Sequence, residues 1–101
     1  MKKIVLLCNM GMSTSSLMSK MRTYAAQIGF ECEINAYPVS EAVEKGKNVD
    51  CVLLGPQIAY QLNRVREELP KVPVEAIDMR AYGMMDASKV IDQAKKIMKV
   101  V

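Results

Sequence analysis

Two kinds of hydrophobic spacing alternate along the chain. Ile4-Val5-Leu6-Leu7 and Cys51-Val52-Leu53-Leu54 are apolar at every position, as strands covered on both faces of a sheet are. The first strand is expected over about Lys3 to Leu7. From about Glu31 to Tyr37, Cys32, Ile34 and Ala36 alternate with Glu31, Glu33 and Asn35. That period of two describes a strand wet on one face, hence an edge strand, and Pro38 ends it. Val74 to Ile77 predicts a short strand whose Glu75 puts it at the other edge.

Helical spacing fills the intervals. Leu17, Met21, Tyr24 and Ile28 form one stripe of a helix starting at Ser13 or Thr14, with Gly29 as its stop. Ser40 is placed to cap a short helix from Glu41 to Lys45, closed by Gly46. After the Gly55-Pro56 turn, Ile58, Leu62, Val65 and Leu69 give a second stripe, and Pro70 and Pro73 bracket its exit. Asp78 to Met85 is expected to be a loop. Asp86 caps a last helix whose stripe is Val90, Ala94, Ile97 and Val101, widened by Ile91 and Met98.

Strands alternating with helices predict an α/β three-layer sandwich, a four-stranded parallel sheet with helices on both faces. With the two fully apolar strands central, the order is 2-1-3-4. The winding reverses between strands one and three, and ligands of such sheets bind at the strands' carboxyl ends at that point. The loops meeting there are Cys8–Ser13 and Gly55–Gln57.

Length and composition narrow the picture. The 101 residues suffice for one domain, 1–101, with a core that needs no disulfides or metals. A formal net charge of +3, without a dense basic patch, gives no case for nucleic acid. The apolar run after Met1-Lys2-Lys3 is too short for a signal peptide, so a cytoplasmic protein with its natural N-terminus is expected. Three cysteines without CxxC spacing argue against a disulfide framework. There is no histidine, which excludes a Cys-His dyad and His-ligated metal; no metal site or cofactor is expected.

Candidate chemistry concentrates in Cys8-Asn9-Met10-Gly11-Met12-Ser13-Thr14-Ser15-Ser16. A thiol at a strand end, followed by a helix N-terminus, faces free N–H groups that stabilise an anion, whether thiolate or phosphate. The hydroxyls of Ser13 to Ser16 add donors, and Gly11 lets backbone approach closely. Cys8 is therefore the candidate nucleophile and carrier of a phosphoryl group. Cys32 and Cys51 lie on apolar strand faces and read as structural. Met10 and Met12 either fold back onto the helix or form an adaptable apolar rim. Gln57, beside the switch point, is a candidate rim residue, and so, less strongly, are Tyr60 and Tyr82. Glu67-Glu68 reads as a solvated helix end.

Cys8-Asn9-Met10-Gly11-Met12-Ser13-Thr14-Ser15 resembles the active loop of cytoplasmic enzyme IIB components of the bacterial sugar phosphotransferase system, lactose/cellobiose branch. The resemblance continues through Val52 to Tyr60 and Pro73 to Asp78, in register along the chain. Gly11-Met12-Ser13-Thr14-Ser15 is closer to the cellobiose/diacetylchitobiose type. The resemblance implies a phosphocysteine transferase. Cys8 would accept phosphate from a phosphohistidine of enzyme IIA, within a cradle of Asn9, Met10, Gly11, Met12, Ser13, Thr14 and Ser15. It would pass it to a sugar, such as a β-linked disaccharide, held by membrane enzyme IIC. The protein would dock transiently at the inner face of the membrane.

Two other readings stand beside it. A low-molecular-weight tyrosine phosphatase shares the strand-loop-helix logic, with Asp78 or Asp86 as its general acid. It needs an arginine six residues after the cysteine, where this chain has Thr14. A redox-sensing thiol would want a resolving cysteine near Cys8, and none is evident.

Overall fold

The structure, a computed structural model, describes residues 1–9 and 12–100, and of residues 12 and 13 the backbone only. The apolar run Ile4 to Cys8 builds most of β1 (Lys2–Cys8), and the four apolar residues Cys51 to Leu54 build β3 (Cys51–Leu54). With β2 (Cys32–Pro38) and β4 (Val74–Ala76) they form a four-stranded sheet of order β2-β1-β3-β4. All three pairings are parallel. The expected order and edges are those observed.

The pleat divides the core in two, because successive side chains of a strand point to opposite faces. Ile4 and Leu6 with Cys51 and Leu53 face α1 (Met12–Gln27) and, at the chain's far end, a helix over Ala87–Ile97. Val5 and Leu7 with Val52 and Leu54 face α2 (Ala42–Gly46) and α3 (Leu62–Glu68). Helices thus cover both faces.

The two edge strands are closed by long polar side chains from the flanking helices. Arg22 of α1 donates to the Ile34 carbonyl on β2. Arg66 of α3 donates to Val74 O at 2.9 Å, and Gln93 donates to Ala76 O at 2.8 Å. Carbonyls that would otherwise invite a further strand are engaged within the chain.

Several local expectations are corrected. The buried stripe of α1 is Thr14, Leu17, Met21 and Ala25, while Tyr24 is half-buried and Ile28, beyond the helix end, is exposed. The helix stops as expected at Gly29 (φ 71°), where Phe30 N donates to Ala25 O and Gly29 N to Ala26 O. Ser40 does not cap the short helix. A 3-10 turn over Val39–Glu41, preceded by Pro38, leads into α2. A second 3-10 stretch, Pro56–Gln61, precedes α3 and kinks at Ile58.

The largest departure is the expected loop Asp78 to Met85. It contains α4 (Met79–Gly83), with the Asp78 carboxylate accepting from Ala81 N at 2.9 Å. Ala81 is buried and anchors this turn to the core. Asp86, as expected, caps α5 (Ala87–Ile97). Val90, Ile91 and Ala94 are buried on it, and Val101 lies outside the described residues.

Candidate functional site

Cys8 is the last residue of β1, not the first of a polar turn, and is 3% exposed. Strand alternation puts its side chain on the same face as Ile4 and Leu6, the face covered by α1. Across the sheet it is in register with Pro38, and on the other side Gly55 N donates to Leu7 O at 2.9 Å.

Gly55, having no side chain, lets the Gln57 amide and Cys8 approach its backbone closely. A β-carbon there would stand 3.6 Å from Cys8 Cβ and 2.9 Å from Gln57 Oε1. The backbone of Gly55 is extended (φ −60°, ψ 148°), a conformation any residue adopts, so the requirement at this position is steric. The same contacts show that Gln57 turns its amide back over Gly55, next to Cys8. The sheet topology thus brings together two residues that the sequence singled out. Gly55 itself was read only as a turn former, although its place at the end of a central strand signals close approach of another group.

Opposite these residues the chain enters α1. No acidic residue occupies its first turn, so its N-terminal N–H groups are not neutralised by a carboxylate of that turn. The hydroxyls of this segment diverge. Thr14 is 3% exposed and lies on the core stripe, with Oγ1 3.1 Å from Tyr82 Oη on α4. Ser15 and Ser16 are exposed, as is Asn9. Met10 and Gly11, and the side chains of Met12 and Ser13, lie outside the described residues.

Tyr82 therefore reaches the start of the helix that follows the Cys8 loop. Tyr60 does not converge on it in this way. It is 81% exposed, with its hydroxyl accepting from Gln61 Nε2 at 3.3 Å. Cys51 is fully buried, and burial, reinforced by the charges of Asp50 and Glu75, pushes its thiol up to about 12. Burial also raises Cys32. Neither offers a thiolate near neutral pH. Among the described residues no group of histidines, cysteines or carboxylates is arranged to hold a metal ion.

Fold and site together define an open parallel α/β protein that presents a thiol at its topological switch point, beside a helix N-terminus. Comparison with known proteins makes this specific. Residues 3–93 match the family described as "PTS system, Lactose/Cellobiose specific IIB subunit", and the chain belongs to that family of the phosphotransferase system.

The chain is 45% identical to the oligo-beta-mannoside-specific EIIB component of Bacillus subtilis, over 97% of each chain. It is 39% identical to the cellobiose-specific EIIB component of Lactococcus lactis subsp. lactis, over 96% of each. The solution structure of the cellobiose-specific IIB component from Borrelia burgdorferi superposes with a TM-score of 0.81 at 33% identity, covering 97% of this chain and 92% of that one. The lactose-specific IIB domain of Streptococcus pneumoniae shares the fold, with a TM-score of 0.81 at 14% identity over 94% and 95%. The protein is thus a phosphotransferase component that works with other components of the system in sugar uptake.

Proposed function

We propose that Cys8 is the residue on which this component carries phosphate. Its sulfur would attack the phosphorus of a phosphohistidine on enzyme IIA, forming the S–P bond as the P–N bond to the imidazole breaks. A sugar hydroxyl held by membrane enzyme IIC would then attack phosphorus, breaking the S–P bond and losing its proton to a partner's base. This chain has no histidine, so donor and acid-base groups of that type come from the partners. The protein would work in the cytoplasm and dock transiently at the inner membrane face. Among the described residues no helix is long and apolar enough to cross a membrane.

One observation carries the assignment: Cys8 ends a central strand beside the bare Gly55, in front of an N-terminal helix turn without carboxylates. Phosphoryl oxygens on the sulfur would take backbone N–H donors from the 9–15 segment. Asn9, Met10, Gly11, Met12, Ser13, Thr14 and Ser15 would form this cradle. Gln57 stands at its rim. The sugar is a β-linked di- or oligosaccharide, in line with the oligo-beta-mannoside and cellobiose specificities of the relatives.

Hydrolysis in the manner of a tyrosine phosphatase finds less support. Thr14 replaces the phosphate-clamping arginine and is turned to Tyr82. Both aspartates available as general acid are helix caps instead. Asp86 is held below the usual carboxylate range, first by the Ser88 hydroxyl and then by Lys89 N–H, opposite to what a proton donor requires.

The test mixes the protein with phosphorylated enzyme IIA and reads intact mass. One added phosphoryl group is expected, absent in Cys8→Ser and retained in Cys32→Ala and Cys51→Ala. A phosphoryl group still gained by Cys8→Ser would refute the assignment.

A further inference from the structure

We infer that Tyr82 is a positioning residue for phosphoryl transfer at Cys8, acting through Thr14; the inference rests on the carrier role proposed for that cysteine. Thr14 is the one buried polar side chain among the described residues, and its hydroxyl sits 3.1 Å from the Tyr82 phenol. A buried hydroxyl without a partner is destabilising, so the pair is a fixed contact and not a passing one. It ties the first turn of α1, which begins directly after the cysteine loop, to α4, 68 residues further along.

The anchor at the other end is rigid. Asp78 caps α4 through Ala81 N, and Asp78 N donates to Gln93 Oε1 at 3.3 Å. At the far end Asp86 N donates to Ala81 O at 2.8 Å and Met85 N to Tyr82 O at 3.1 Å, with Met85 in the left-handed region at φ 52°. A five-residue helix pinned at both ends thus presents one phenol to one threonine. Tyr82 packs against the core on the α1 face of the sheet, Thr14 belongs to α1 itself, and strand alternation puts the Cys8 side chain on the same face. N–H donors aimed at a phosphoryl group are effective in proportion to how little they must reorganise. The Tyr82–Thr14 bond sets where those of the first turn point.

A contact of Tyr82 with a docking partner would act on affinity, whereas positioning acts on the rate within the complex. Single-turnover transfer from phosphorylated enzyme IIA separates the two. Tyr82→Phe, which keeps the ring, is expected to lower the saturating rate about fivefold, the worth of one net hydrogen bond, with the half-saturating donor concentration unchanged. Thr14→Val should match it, and the double variant should be no slower than either single one. An unchanged saturating rate in Tyr82→Phe, a rise in half-saturation alone, or additive losses in the double variant would each overturn the inference.

If wild-type protein gains no phosphoryl group, the carrier reading fails on its own. Alkylation of Cys8 by iodoacetamide then tests the latch separately. A severalfold slower reaction in a folded Tyr82→Phe variant supports it, and an equal rate overturns it.

Discussion

A β-carbon added to Gly55 would stand 3.6 Å from that of Cys8, an ordinary contact that nonetheless occupies the space next to the thiol. Because the Gly55 backbone is extended, substitution there tests access to the thiol rather than backbone strain. Gly55→Ala must first displace the Gln57 amide, the flexible end of an exposed side chain, and should reduce phosphoryl transfer only a few-fold. Gly55→Leu should reduce it by at least tenfold, about 1.4 kcal/mol in barrier, while the protein remains folded. Single-turnover transfer and thermal melting are the paired measurements. Full activity in Gly55→Leu would show that the space is not used.

Cys51 supplies an internal control. With its thiol pushed up to about 12 and no exposed surface, it should resist alkylation at pH values near 8 in the folded protein and react only in denaturant. Cys51→Ser should cost about 1–3 kcal/mol if the new hydroxyl finds no partner. Mass spectrometry of the alkylated peptides, with urea melts of the variant, checks both. Rapid modification of Cys51 in the native state would contradict its burial.

Helix ends offer a test of backbone conformation alone. Gly29 has φ 71°, and nothing lies within 4 Å of where its β-carbon would go. Gly29→Ala should therefore destabilise by about 1 kcal/mol through conformation only. Lys99 ends α5 at φ 60° and is exposed, with Val100 N on Lys95 O in the same hydrogen-bonding pattern. Lys99→Gly should move stability the other way, by roughly 0.5 kcal/mol after the entropy of glycine is counted. Denaturant midpoints with unchanged slopes would read out both signs. Changes of the same sign in the two variants would contradict the account.

Asp86 should make stability fall in acid. Its carboxyl is held low in the folded chain by Ser88 and Lys89, so protons bind more readily to the unfolded chain. The stabilisation is complete well above the unfolded value of about 3.9, and is lost as pH falls below that through the lower folded value. Asp86→Asn, which can still cap, should show a shallower decline of melting temperature between neutral pH and about pH 3. Identical acid slopes in the two proteins would rule out a contribution from this group.

What the sequence determined by itself was the architecture and the location of the thiol. Uniformly apolar Ile4–Leu7 and Cys51–Leu54 could only be central strands, and the alternation at Cys32–Ala36 only an edge. From that order alone, Cys8 and the Gly55–Gln57 turn fall at one end of adjacent strands. Hydrophobic period suffices here because burial on one or both faces is a local property of a strand.

Tertiary structure decided the details around the thiol. Asp78 to Met85 lacks an apolar repeat, and its one turn of helix forms because Asp78 caps it and Ala81 is buried. A helix this short is not stable from propensity alone, so its sequence carries little signal. The same packing turns Thr14 inward, where a run of hydroxyls had suggested that all would face the anion. A hydrogen bond between residues 68 positions apart has no periodicity to announce it; it exists only once α1 and α4 lie on the same face of the sheet.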